Sequence, residues 1–197
     1  MSQVRVSGNA SGTGILTVTS PNTNSNYTLT LPANTGTLVT NATAGTVLQV
    51  VQTVKTSYFT FSGGSWLDVT GLSVSITPSS ASNKILVSFS AYATQSGTTG
   101  TYGVNLRIVR DATSIFLGDA AGSAQQSSGQ IGSNNGNYGF GLSGQYLDSP
   151  ATTSSVTYKI QTYGESGVTL GIGGSYLTTA SYSGRTPSQI LVMEIAG

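Results

Sequence analysis

An all-β fold is predicted from three observations. Apolar residues never recur at helical spacing for three turns, whereas period-two runs appear repeatedly between clusters of Gly, Ser, Asn and Pro. Polar positions are filled mainly by Ser, Thr and Asn: only 7% of the 197 residues are charged, against about 25% in a typical soluble chain. The 37% of hydrophobic residues, with ten Tyr and five Phe, supply enough apolar surface to order a chain whose polarity alone would suit disorder. A chain of this length accommodates one sizeable core and a short appendage.

Taken in order, ILTVT (15–19) and YTLTL (27–31) flank the turn-rich PNTNSN, and Pro32 with the following ANTG breaks the second run. This reads as a β-hairpin module. No charged residue occurs between Arg5 and Lys55, a poor composition for an independently solvated segment, so residues 1–45 are expected to dock or intertwine, the alternative being a flexible leader held soluble by Ser, Thr and Asn. The texture changes at residue 46, and residues 46–197 are expected to form the main domain. In KILVSFSAYA (84–93), Ile85, Val87, Phe89 and Ala91 share one face while Lys84, Ser88 and Ser90 take the other. Val104, Leu106 and Ile108 alternate with Asn105 and Arg107, and Val156, Tyr158 and Ile160 with Thr157, Lys159 and Gln161. Strands of this length, separated by turns roughly every ten residues, indicate an antiparallel sandwich or jelly roll.

The last strand breaks the alternation. In QILVMEIA (189–196) apolar groups occupy both faces, which suits either a sheet centre or a strand covered by another subunit. Leu191, Met193 and Ile195 are therefore expected at a homotrimer interface around a threefold axis. Glu194, the strand's lone charge, is expected to point to solvent or to meet a cation.

Composition excludes several functions. The net charge is +1, and the cations Arg5, Lys55, Lys84, Arg107, Arg110, Lys159 and Arg185 are too scattered to track a phosphate backbone, so nucleic acid is not an expected partner. No run approaches the roughly 18 apolar residues of a membrane span, and no signal-peptide pattern opens the chain, so neither membrane insertion nor secretion is expected. With no His and no Cys, imidazole and thiolate catalysis, disulfides and zinc sites are ruled out. The acids Asp68, Asp111, Asp119, Asp148, Glu165 and Glu194 are dispersed. Asp111 and Asp119 flank one short strand, but turn-capping and surface roles are expected for all six. No DxDxD spacing supports calcium. Neither a cofactor nor a metal is expected, and the chain is expected not to be an enzyme.

One literal GxGxxG occurs, Gly139-Phe140-Gly141-Leu142-Ser143-Gly144. A dinucleotide site needs that motif between a strand and a helix, and here a strand-like QYLDSP follows it; the glycines are expected to mark close strand packing. Residues 120–137 read as a long neutral loop of the kind that carries function. Around it, Tyr102, Tyr138, Tyr163, Tyr176 and Tyr182 stand in a Ser, Gly and Asn background, with Arg185 nearby. Rigid aromatic faces among adaptable polar groups resemble binding surfaces, and such faces also stack on sugars. These six residues are the candidate binding residues, with packing in the core or an interface as the competing role for each tyrosine.

Two stretches resemble known proteins. GILTVTSPNTNSNYTLTLPANTGTLVT (14–40) resembles an N-terminal module of fibre-like structural proteins of marine tailed bacteriophages. VLQVVQTV, VTGLSVSITPSSASNKILV, LDSPATTSSVTYKIQT and the terminal ILVMEIAG resemble the jelly-roll head that follows that module, similar in outline to the trimeric C1q and tumour-necrosis-factor architecture. The resemblance implies a non-enzymatic virion structural protein, a short trimeric fibre attached to other virion proteins by residues 1–45 and exposed at the virion surface. It implies a head that is a candidate for binding host-surface carbohydrate. The long shaft of a host-reaching tail fibre is missing, which leaves open a capsid decoration or cement protein without receptor binding.

Overall fold

Strands form where the alternation is strongest, and the pairing between them shows how the chain is rolled. The computed structural model describes residues 11–13, 22, 24, 26, 44–96, 102–133, 139–176, 178, 181 and 183–197. The expected hairpin of the first 45 residues, Tyr138, Tyr182 and the side chain of Tyr102 lie outside the described residues. Two compact units divide the chain, Met1–Leu38 and Val39–Gly197.

The described strands are β1 (Val47–Lys55), β2 (Phe59–Ser62), β3 (Leu67–Ile76), β4 (Lys84–Gln95), β5 (Tyr102–Arg110), β6 (Thr113–Ile115), β7 (Gly129–Ser133), β8 (Gly139–Asp148), β9 (Val156–Gly164), β10 (Thr169–Ile172) and β11 (Ser188–Ile195). All their pairings are antiparallel. Four are nested, β1 with β11, β3 with β9, β4 with β8 and β5 with β7, so the chain folds back on itself as one long double ribbon. Successive ribbon segments alternate between two sheets, joined within each by β11–β4 and β9–β5. The first sheet runs β1–β11–β4–β8 and the second β3–β9–β5–β7, which is the jelly-roll arrangement. The short β2–β10 pair extends the first sheet beside Ala93–Gln95, and β6 extends the second beside Ile108–Arg110.

The core lies between the sheets. Ile85, Val87, Phe89, Val104, Leu106, Ile108, Val156, Tyr158, Ile160, Ile190 and Val192 are all buried in it, each contributing roughly 1.5–3 kcal/mol relative to exposure. The expected alternation of β4 and β9 is observed, whereas in β5 Asn105 and Val109 are buried as well. Ser73 and Ser75 of β3 take solvent positions between the buried Leu72, Val74 and Ile76, as expected of the abundant hydroxyl residues.

Three expectations are corrected. Residues 120–137 are not one uninterrupted loop, because Gly129–Ser133 pairs with the free edge of β5 as strand β7. Its residues, GQIGS, have little β preference of their own, and the backbone hydrogen bonds offered by β5 make the strand. Second, not all the acids are at the surface. Asp148 is buried; it accepts hydrogen bonds from the Tyr158 hydroxyl at 2.7 Å and from Arg110 Nη1 at 2.8 and 2.9 Å, tying the end of β8 to β9 and β5 across the sandwich. Burial, together with the bond to Asp148, pushes the Tyr158 hydroxyl far above its ordinary pKa. Asp111, in the turn after β5, is tied across to β9, its carboxylate accepting the Thr157 N–H at 2.9 Å.

Third, Glu194 neither reaches solvent nor meets a cation. It is 1% exposed, and its carboxylate collects neutral donors. Oε1 accepts the Ser79 N–H at 2.6 Å, the Ser79 hydroxyl at 2.8 Å and Asn83 Nδ2 at 2.5 Å, while Oε2 accepts Gln49 Nε2 at 2.6 Å. Burial by itself would raise the carboxyl's pKa; the donated bonds outweigh it and hold the pKa below the ordinary value. One side chain thereby joins β1, the β3–β4 turn and β11.

The GxGxxG glycines lie in β8, with no helix after them. A Cβ on Gly139 would collide with the Ala93 carbonyl oxygen and the Tyr92 ring, and one on Gly144 would sit 2.7 Å from Cε1 of the buried Phe89, its cross-strand partner. Nothing lies within 4 Å of the same position on Gly141. Gly144→Ala is therefore expected to destabilise the fold by about 1–3 kcal/mol through forced displacement of Phe89. Gly141→Ala should leave the urea midpoint within about 0.5 kcal/mol of the parent.

Candidate functional site

The outer faces of the two sheets differ in chemistry. On the first, cross-strand register places Val50 of β1, Met193 of β11, Leu86 of β4 and Leu147 of β8 side by side in one apolar row. Val50 is 53% and Leu147 52% exposed. The next row is Gln52, Leu191, Ser88 and Gln145, and the one after it Val54, Gln189, Ser90 and Ser143. Ile195 faces the same way beside Val47 and opposite Lys84, and Lys84 is the one charge in these four strands' outward rows.

Leu191, Met193 and Ile195 thus share one face, while Ile190 and Val192 fill the core. β11 sits inside its sheet, between β1 and β4, and its outward apolar side chains are half-buried. A nearly uncharged surface with exposed valines and leucines is of the kind that soluble proteins bury against a partner.

On the second sheet the outer face is polar and ordered by a chain of contacts. Gln161 of β9 accepts Arg107 Nε at 2.9 Å and Nη2 at 2.7 Å and donates to Asp68 Oδ1 at 2.7 Å. Asp68 also receives Lys159 Nζ at 2.8 Å, and these hydrogen bonds hold its pKa below the ordinary value. Held in this way, the Arg107 guanidinium lies 4.0 Å from the centre of the Trp66 ring. The Trp66 ring also packs against Tyr163, centroids 5.5 Å apart, and its indole N–H donates to Gln125 Oε1 at 3.1 Å.

Beside this array is a cleft of about 320 Å³. Gly103 and Asn105 of β5, Gln130 of β7, Tyr163 of β9, Glu165 and Gln125 contribute to its wall. Cross-strand register brings Asn105 opposite both Tyr163 and Gln130.

Of the candidate binding residues, Tyr163 therefore lies in a cleft. Arg185 is elsewhere: its guanidinium covers the Tyr58 ring at 3.9 Å and donates to the Ser175 carbonyl at 2.8 Å. Tyr176 is 38% exposed in the segment between β10 and β11. Tyr163 and Arg185 do not share a site. Asn105, Gln125, Gln130, Glu165 and Trp66 are not among the candidate binding residues of the sequence. In sequence Asn105 is only the polar phase of β5, and its meaning depends on which strands flank it.

No family model and no curated protein matches the chain. Among solved structures, the chain is similar to one described as the structure of infectious bursal disease virus Gx strain, with 12% identity and a TM-score of 0.33. That match covers 77% of this chain and 37% of the other, so this chain spans little more than a third of its length.

Proposed function

We propose that the chain is a non-enzymatic structural protein of a virion, a short homotrimeric fibre of a tailed phage attached through residues 1–45 and carrying the jelly roll as an exposed head. The observation that carries this reading is the outer face of the first sheet. Packing it around a threefold axis would remove Val50, Leu86, Leu147, Leu191, Met193 and Ile195 from water and leave the polar face of the second sheet turned outward, available to host-surface carbohydrate. Two of the six acids, Asp148 and Glu194, are committed to internal hydrogen bonds, which fits a structural role better than acid–base chemistry.

The test is to label the protein on intact particles. Label at the tail supports the fibre. Label distributed over the capsid supports decoration, and absence from particles overturns the virion reading. Removal of residues 1–45 should abolish incorporation while leaving the trimer intact; normal incorporation would refute an attachment role for that segment.

A further inference from the structure

We infer that the cleft on the second sheet binds a neutral saccharide, with Asn105, Gln125, Gln130 and Tyr163 as its contacts. Asn105 is 7% exposed, yet its carboxamide makes no hydrogen bond to the protein and lines the cleft. Its polar atoms open onto the cleft, where water or a ligand supplies the hydrogen bonds the protein does not. The neighbouring groups are more exposed and also have unused hydrogen-bonding capacity. Gln130 carries its carboxamide over Gly103, where any Cβ would lie 2.8 Å from Nε2, and like the Tyr163 hydroxyl it is without a protein hydrogen bond. Gln125 accepts from Trp66 and keeps its amide N–H groups free.

Carboxamides both donate and accept, as a sugar hydroxyl does, so three of them around one cavity match a polyol better than they match a cation or an anion. Tyr163 adds an aromatic ring packed against Trp66, which is itself held by Gln125 and by Arg107, the latter fixed by Gln161. The one charged group in the wall is the Glu165 carboxylate, which disfavours sialylated, sulfated or phosphorylated sugars. The cationic Arg107 is directed away, to Gln161 and the Trp66 ring. This inference deepens the proposed display of the second sheet and names the ligand class; it needs that face to be free, not the particle to be known.

Trp66 is the chain's single tryptophan and is bonded to a cleft residue, so its emission reports on the site. The full-length protein is titrated with galactose, N-acetylglucosamine and maltotriose and, separately, with 3′-sialyllactose, with heats of binding measured in parallel. At least one neutral sugar is expected to give saturable binding in the millimolar range, and sialyllactose none. Gln130→Ala and Tyr163→Ala should each weaken binding by about tenfold or more, while Arg185→Ala should leave it unchanged. Glu165→Gln should relax the discrimination against sialyllactose. Absence of heat and emission change for all three neutral sugars, binding of the acidic sugar alone, or parental affinity in both cleft variants would overturn the inference. Failure of these titrations with the labelled protein still on particles removes the cleft and spares the virion role. Loss of the protein from particles with the titrations intact does the reverse.

Discussion

Glu194→Gln is expected to lower stability by roughly 2–4 kcal/mol, because a buried carboxylate that receives four donated bonds would be replaced by a group that accepts at one end and donates at the other. Whichever way the new amide turns, its NH₂ faces a donor: Gln49 on one side, or Ser79 and Asn83 on the other. For a domain of this size the loss corresponds to about 5–15 °C in the unfolding midpoint. The pH dependence has a definite sign. The folded-state pKa of Glu194 lies below the ordinary value of 4.5, so its contribution is fully present above that value and disappears as pH falls through the folded-state pKa. Asp68 shifts in the same direction, but it is exposed and adds little. Thermal midpoints measured from pH 7 to pH 3 should therefore fall for the parent below about pH 4.5. Over that range the Glu194→Gln curve should be flatter, and the gap between the two should narrow. A parallel pair of curves, or a variant within about 1 kcal/mol of the parent at pH 7, would show that the network is dispensable.

Met193→Asp is expected to convert the proposed trimer into folded monomers. Met193 lies in the apolar row between Val50 and Leu86, and a threefold assembly through that face would bury three unpaired carboxylates. Their combined penalty should weaken assembly by at least about a thousandfold. In the isolated chain the same side chain faces outward, so the sandwich itself should remain folded. Leu191→Asp, from the adjacent row, should behave in the same way. Sedimentation velocity and far-ultraviolet circular dichroism together decide the matter. Ser73→Asp, on the outer face of the opposite sheet and paired across from Lys159, serves as the control and should leave the trimer unchanged. A parent protein that sediments as a monomer at micromolar concentration, or a Met193→Asp variant that remains trimeric, would show that this face is not the interface.

Much of the sandwich was legible because half-buried strands write their own pattern. Ile85, Val87 and Phe89, Val104, Leu106 and Ile108, and Val156, Tyr158 and Ile160 announce core faces by alternation alone, and the apolar phases of Leu191, Met193 and Ile195 mark the last strand as different from the rest. β7 was illegible for the opposite reason: Gly129–Ser133 owes its conformation to the edge of β5 rather than to its own side chains. The same holds for the outer row of the first sheet. Val50, Leu86 and Leu147 are each unremarkable in sequence, and they become one apolar surface only when register sets them beside Met193.

The sequence by itself determined the all-β class, the strands with strong period-two patterns, and the exclusion of imidazole and thiolate chemistry, because those depend on residue identity and local periodicity. Tertiary structure decided the partners. A carboxylate at position 194 reads as a surface charge until Gln49, Ser79 and Asn83, more than a hundred residues away along the chain, converge on it with neutral donors that replace water. An asparagine at position 105 reads as a solvent-facing residue until β7 and β9 close on either side, burying its carboxamide and facing it with Gln130 and Tyr163. In both cases the side chain's chemistry was written locally, but its protonation, burial and role were set by strands that only the fold brings together.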